Sequence, residues 1–277
     1  MEILENKKNL DVFLSNIREK SHKIGLIPTM GSIHKGHLSL VEKSKNTNCF
    51  SLATIFINPT QFNDPKDFNE YPQNRELDIA RLKQIRCDAL YFPQTEELYL
   101  NGIKSQKTIF DYRDILCDKF RPGHFDGVTT VVKSLFDIIK PDHAFFGEKD
   151  FQQLKLIQKI VEKEKLPILI HPCNSVRMLN GISFSSRYKN LQSSQEKDFG
   201  KVANKIINSV LELKKKIDVK ILENLKEELI KINIKKIDYL EVRDEINLLP
   251  TVKNKKARLF IAFYIDDIRI IDNFVLY

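Results

Sequence analysis

The segment "PTMGSIHKGHLSLVEKSK", Pro28 to Lys45, sets two histidines three residues apart, His34 and His37, with Gly31 and Gly36 beside them, in a chain that has six histidines. Residues three apart on the first turn of a helix face the same way. If an apolar strand ends near Pro28 and a helix begins near Gly36, both imidazoles stand where unpaired N–H groups and the positive end of the helix dipole favour anions. Phosphate is the expected guest. An imidazole pair there can donate hydrogen bonds to oxygens that gain charge as a phosphoryl group is attacked. Taken as His-x-Gly-His alone, the pair fits two structural histidines equally well; its place after a strand and a glycine turn favours the functional reading.

Those side chains need a scaffold. Short runs of Ile, Leu, Phe and Val bounded by Pro, Gly or Asn predict buried strands over 23–28, 50–58, 88–93, 143–149 and 167–173. Between them, helical spacing predicts helices over 38–45, 75–85, 128–140 and 150–165, the third carrying Val128, Val131, Val132, Leu135, Phe136 and Ile139 on one face. Strand–helix alternation implies an α/β fold with a parallel sheet and right-handed crossovers. Such sheets bind ligands at the carboxyl ends of their strands, where Thr29 to Lys35 falls. The pattern changes near Ser175. A polar "SSQEKDFG", two helical runs with "LELKKK" between them, then "IDYLEV", "ARLFIAFYI" and "IRIIDNFVLY" predict helices followed by an antiparallel sheet. The expected division is a first domain over 1–175 and a smaller α+β domain over 176–277. The lysines Lys214 to Lys216 read as a solvated helix end.

Composition narrows the function classes. The 277 residues are 42% hydrophobic and 30% charged, enough for a large core and one or two domains. No run approaches the roughly 18 to 20 apolar residues of a membrane span, and the start "MEILENKKNLDVFLS" has acidic residues where a signal peptide would be basic, so the expectation is a cytoplasmic protein with no membrane partner. Cys49, Cys87, Cys117 and Cys173 are scattered and form no C-x-x-C pair, which argues against a zinc site or a disulfide framework and for buried thiols. A net charge of +8 would suit a nucleic acid, but the lysines are dispersed and no aromatic–basic motif accompanies them, so no nucleic-acid partner is expected.

The stretch "PTMGSIHKGHLSLV" resembles the His-x-Gly-His signature of the nucleotidyltransferase superfamily and, within it, the pantothenate synthetase (pantoate–β-alanine ligase) family. Further stretches agree in order: "FINPTQFNDPKDFNEYP" at 56–72, "RPGHFDGVTTVV" at 121–132, "FFGEKDFQQL" at 145–154 and "GISFSSRY" at 181–188. The resemblance implies a Rossmann-like domain with a small C-terminal lid domain, a homodimer, and a reaction that joins pantoate to β-alanine with ATP through a pantoyl adenylate, releasing AMP and diphosphate. It assigns Met30, Gly31, Ser32, Ile33, His34, Lys35, Gly36 and His37 to ATP, together with Gly147, Glu148, Lys149, Asp150, Val176, Phe184, Ser185, Ser186 and Arg187. His37, His34, Lys149 and Arg187 would be the catalytic contacts. Gln61 would bind pantoate and β-alanine; Gln153, Asn58 and Arg121 would bind pantoate, with His124 in the same motif; Asp78 would contact Mg2+. At "GEKD", Asp150 is expected to cap a helix or hold a ribose hydroxyl. Where the family usually has an acidic residue, Met and Asn around the Ser-Ser-Arg loop, this chain has Asn180, Phe184 and Tyr188.

The chemistry implied needs no protein nucleophile, because the adenylate is itself the activated acyl group. That agrees with the absence of a Ser-His-Asp or Cys-His pattern. A plain adenylyltransferase is the rival enzyme and a basic nucleic-acid-binding module the rival outside enzymes; "NPTQF" and the glutamines argue against the first, the dispersed lysines against the second.

Overall fold

The computed structural model describes the chain except residues 101, 107, 108, 233, 235 and 254. It divides into two compact units, Met1–Val176 and Arg177–Tyr277.

The first unit is built on a six-stranded sheet in the order β1-β4-β3-β2-β5-β6, all strands parallel. These are β1 (Glu2–Leu4), β2 (Lys23–Thr29), β3 (Cys49–Ile55), β4 (Ala89–Tyr91), β5 (His143–Gly147) and β6 (Leu169–Cys173). Helices α1 (Lys7–Glu19), α2 (Lys35–Asn46), α3 (Pro65–Asn69), α4 (Arg75–Gln84), α5 (Thr95–Leu98), α6 (Leu116–Phe120), α7 (His124–Ile139) and α8 (Phe151–Lys163) fill the connections. The central strands are apolar along their length because helices cover both faces: Ile24, Leu26 and Ile27 of β2 are at most 1% exposed. From β2 the chain moves outward to β3 and β4 and later returns to lay β5 on the other side of β2. That reversal leaves a crevice beyond the carboxyl ends of β2 and β5.

Several boundaries differ from the sequence expectation, each for a local reason. The third strand stops at Ile55 rather than residue 58, because the Asn58 carboxamide accepts from Thr60 N–H and starts a 3-10 turn over Pro59–Gln61. Helix α2 begins three residues early, at Lys35, because His34 caps it. Helix α7 begins at His124, after Gly123 in the left-handed region at φ +78°. Strand β1 and helix α1 lie outside the sequence expectation; β1 is three residues long and exists by pairing Glu2 with Ala89 across the sheet.

The second unit packs α9 (Ser193–Lys215) and α10 (Val219–Lys231) on an antiparallel sheet of β7 (Ile237–Asp244), β8 (Ala257–Ile265) and β9 (Ile268–Val275). The polar "SSQEKDFG" is the start of α9 rather than a break, and "LELKKK" is its end rather than a link. The break comes at Asp218, whose side chain accepts from Lys220 N–H and caps α10. Ile206, Leu213, Leu225, Leu229, Leu259 and Phe263 are fully buried between the layers, each such side chain contributing about 1.5–3 kcal/mol.

Candidate active site

Beyond β2 the chain turns sharply into α2. Thr29 Oγ1 donates to Thr54 O on β3 at 2.8 Å and accepts from Gly31 N–H at 3.1 Å. Gly31 and Ser32 then take φ of +82° and +50°, two successive left-handed residues. A Cβ on Gly31 would lie 3.0 Å from Asp78 Oδ2. Asp78, on α4 and 2% exposed, accepts Ser32 N–H and Ile33 N–H at 2.7 Å each through its two oxygens. The Arg81 guanidinium, one turn further along α4, donates to Ile33 O. Asp78, the expected Mg2+ contact, turns both oxygens to backbone donors inside the protein.

The two imidazoles follow directly. His34 is the N-cap of α2, its Nδ1 accepting from Gly36 N–H at 3.1 Å, and His37 Nδ1 accepts from His34 N–H at 3.3 Å. The rings stack with centroids 4.0 Å apart and 20° between planes. This is a capping box made of imidazoles. Since each Nδ1 accepts, the neutral ring carries its proton on Nε2, so both Nε2–H groups are donors directed away from the backbone they cap. The structural and the functional readings of the pair are thus compatible: one nitrogen of each ring shapes the helix start, and the other carries the donor that chemistry would use.

Strand β5 is the neighbour of β2, with Leu26 opposite Ala144, so the turn after Gly147 opens beside the turn after Thr29. A Cβ on Gly147 would meet no atom within 4 Å. A 3-10 turn over Glu148–Asp150 leads into α8. Lys149 Nζ is 3.6 Å from Asp150 Oδ1, with its side chain 20% exposed. Asp150 occupies the N-cap position of α8 but makes no side-chain capping bond, so the expected cap is not formed.

The "NPTQF" turn packs against the start of α7. Asn58, 1% exposed, donates to Gly127 O at 3.0 Å and to Gln61 Oε1 at 3.3 Å, while its oxygen accepts from Thr60 and Tyr99. Its polar groups are thus engaged inside the protein, and it braces Gln61. Gln61 Nε2 reaches Met30 Sδ, tying this turn to the one after β2. The Gln61 carbonyl accepts from His124 Nδ1 at 2.7 Å and Arg121 at 3.2 Å; Arg121 also lies 4.0 Å from Asp67. On α8, Gln152 is 4% exposed and saturated, donating to Tyr112 O and Ile115 O and accepting from Cys117 N–H, each at 2.9 Å. Gln153, on the next position round the helix, is partly exposed and makes none of these bonds.

Val176 ends the first unit, and the remaining candidates belong to the second. There Ser185 Oγ accepts from Arg187 N–H at 3.3 Å and starts a 3-10 turn over Ser186–Asn190. Buried Asp272 secures the segment before it, accepting from Ser183 N–H and Oγ at 2.8 and 2.7 Å and pairing with Arg177 at 3.1 Å. Tyr188 lies against Phe199, ring centroids 4.8 Å apart, and burial pushes its phenol well above the ordinary range. Phe184 is partly buried.

The sequence profile described as Pantoate-beta-alanine ligase matches residues 2–275. The chain belongs to the pantoate–β-alanine ligase family. Among members of this ligase family, it is 37% identical to a pantothenate synthetase of Flavobacterium psychrophilum, with 100% of both chains covered. Among solved structures it is similar to pantothenate synthetase from Thermus thermophilus, at TM-score 0.90, 30% identity and 100% coverage of both chains. It is also similar to pantoate-beta-alanine ligase from Francisella tularensis complexed with beta-gamma ATP and beta-alanine, at TM-score 0.85 and 35% identity, covering 100% of this chain and 98% of that one. Six parallel strands with flanking helices and a separate three-stranded antiparallel sheet are therefore the ligase fold.

Sequence reading missed the supports. Arg81, Tyr99 and Asp272 carry no motif, and Gln152 lies in "FFGEKDFQQL" without being singled out; each acts on a segment far from it in sequence. Only Asp78 and Arg81, at i and i+3 on one helix face, left a spacing signal. The four cysteines are free and buried, with burial pushing the Cys173 thiol up to about 11. Among the described residues no helix is long and apolar enough to cross a membrane.

Proposed function

We propose that this ligase condenses pantoate with β-alanine through a pantoyl adenylate. The observation that carries the reading is the stacked imidazole pair at the start of α2, each Nδ1 committed to a backbone N–H and each Nε2–H a donor of fixed direction. Donors fixed in direction before the reaction stabilise developing charge without reorganising, which is how an attacked α-phosphoryl group is best served.

In the first step the pantoate carboxylate attacks the α-phosphorus of ATP and diphosphate departs with the electron pair of the broken P–O bond. His34 and His37 donate to phosphate oxygens, and the Lys149 ammonium, on a flexible stem 3.6 Å from Asp150, follows the charge. The open space before Gly147 admits the nucleotide. Gln61 and Gln153 hold pantoate, since a carboxamide both donates to a carboxylate and accepts from a hydroxyl. Ser185, Ser186 and Arg187 take the departing diphosphate. In the second step the β-alanine amine attacks the acyl carbon, AMP leaves and the amide forms. The relative that was solved with beta-gamma ATP and beta-alanine supports both substrates. Family membership supports a cytoplasmic homodimer by analogy.

Among the described residues no three His, Cys, Asp or Glu side chains converge as a cation cage, and Asp78 faces backbone donors. The described residues by themselves form no such cage; Mg2+ arriving with ATP would be held by the phosphates, water and one or two carboxylates, and none of the steps above is routed through it.

The test is AMP release from ATP that requires both pantoate and β-alanine. With heavy oxygen in the pantoate carboxylate, one labelled oxygen should appear in AMP. ADP with labelled inorganic phosphate would instead mean attack at the γ-phosphorus and an acyl phosphate.

A further inference from the structure

We infer that Asp78 and Arg81 are positioning residues that set the imidazole pair, a role the structure gives them in place of metal binding. The two lie one turn apart on α4 and both reach the turn after β2. Asp78 takes the N–H groups of Ser32 and Ile33 at 2.7 Å each, and Arg81 takes the Ile33 carbonyl. Both polar groups of Ile33 are thereby held from one helix face, and the next residue is His34.

The turn needs such a clasp. Ser32 sits at φ +50°, where a residue with a Cβ is strained, and it is fully buried. Strained residues of this kind persist only when their surroundings over-determine them. A buried carboxylate accepting two adjacent N–H groups is a charge-assisted pair that does this. Without it the N–H groups of Ser32 and Ile33 would be orphaned inside the protein, and the path into His34 would be free to shift.

Two consequences separate this site from a backbone phosphate cradle. The N–H groups that a glycine turn ordinarily offers to an anion are already occupied by Asp78, so anion recognition passes to the Nε2–H groups of His34 and His37 and to Lys149. A dication at Asp78 would have to share a buried carboxylate that already accepts two N–H groups, on the same helix face as the Arg81 guanidinium, whose positive charge opposes it.

The kinetic arm of the test rests on the ligase reading; the exchange arm does not. In the full-length wild-type chain, in EDTA and without nucleotide, the Ser32 and Ile33 amides should exchange with deuterium at least about 100-fold more slowly than in an unstructured peptide, because their partner is a buried protein group. Fast exchange in EDTA that slows on adding Mg2+ would overturn the clasp. Asp78→Asn, which puts a carboxamide NH2 donor where an acceptor is needed, should speed exchange at these amides. It should lower kcat by roughly 30-fold while leaving KM for ATP within about threefold, since a small misplacement of a donor acts on the transition state. The Mg2+ concentration for half-maximal rate should not move. A tenfold rise in that concentration, with kcat restored at high Mg2+, would make Asp78 a metal ligand and sink the inference. Arg81→Met is the second variant should Asp78→Asn fail to fold: Arg81 is partly exposed, and its loss removes only the Ile33 carbonyl bond. It should lower kcat about threefold with Ile33 exchange accelerated; unchanged exchange and unchanged kcat would exclude it as a positioning residue. If the wild-type chain forms no AMP with both acids present, the ligase reading fails, while the exchange result still decides the clasp.

Discussion

At the carboxyl edge of the parallel sheet the turn after β2 is tied at Thr29, Ser32, Ile33, His34 and Gly36, whereas the neighbouring turn after β5 carries a glycine facing open space, an N-cap position without a side-chain cap and a lysine 3.6 Å from its neighbour's carboxylate. The first turn supplies donors whose direction is set by the protein. The second supplies room and a movable charge. A site for an anionic transition state uses both, because preset dipoles stabilise charge where it develops and a flexible ammonium follows charge that moves.

The comparison breaks most sharply at the imidazoles. His34→Ala and His37→Ala should each slow adenylate formation by about 100-fold or more, roughly 2.7 kcal/mol of transition-state stabilisation. Each also loses a capping bond of α2, for a stability loss of about 1 kcal/mol. Single-turnover rates read beside thermal melts separate the two effects; near-normal turnover would remove that ring from the phosphates.

The adjacent glutamines of α8 should divide in the same way. Gln152→Ala removes three buried hydrogen bonds, to Tyr112 O, Ile115 O and Cys117 N–H, and should destabilise by about 1–3 kcal/mol. Gln153→Ala should alter stability by less than about 0.5 kcal/mol and instead weaken pantoate binding. Titration calorimetry with pantoate and a urea melt on each variant check this.

The two glycines should behave oppositely. Gly31→Ala meets φ +82° and Asp78 Oδ2 at 3.0 Å and should cost at least about 1–2 kcal/mol of stability. Gly147, at φ −73° with nothing near its Cβ, should accept Ala with unchanged or slightly raised stability, yet lose nucleotide affinity if ATP lies against it. Unchanged ATP affinity in Gly147→Ala would take the nucleotide away from that turn.

Lys149→Ala should slow adenylate formation by about tenfold, near 1.4 kcal/mol, with pantoate affinity unchanged, because a mobile charge contributes less than a preset pair. A loss as large as that of His37→Ala would erase the contrast between the turns.

The smallest effect lies outside both turns. His143 Nδ1 and His171 Nε2 on β5 and β6 are 2.7 Å apart, and burial, with like charge from Lys23 on the first and His143 on the second, holds both imidazoles below their ordinary value of 6.5. The unfolded chain therefore takes up protons first as pH falls. The contribution of this pair is full above about pH 6.5 and declines below it. Replacing either by Gln should flatten the fall of melting temperature between about pH 7 and 5; an unchanged slope would assign that fall to other groups.

How much of this was legible follows from where each constraint resides. The spacing of His34 and His37, the glycine at Gly31 and the apolar runs of β2 and β5 are local, and helical or extended periodicity exposes them. The starts of α2 and α7 read too late from sequence because their caps are a histidine and a left-handed glycine rather than Ser, Thr or Asp. That Asn58 and Asp78 bond to groups inside the protein was not legible, because a polar residue in a motif looks the same whichever partner it faces.

The sequence by itself determined the alternation of strands and helices, the change of pattern near residue 175 and the pairing of two imidazoles at one helix start, since each depends on residues within a few positions of one another. Only the tertiary structure decided that α4 delivers a carboxylate and a guanidinium to the Gly31–Ile33 turn, that Gln152 is spent while Gln153 is not, and that Gln61 meets Met30. Those contacts join segments roughly thirty to fifty residues apart, and the identity of a polar group's partner depends on which elements the packed sheet brings together.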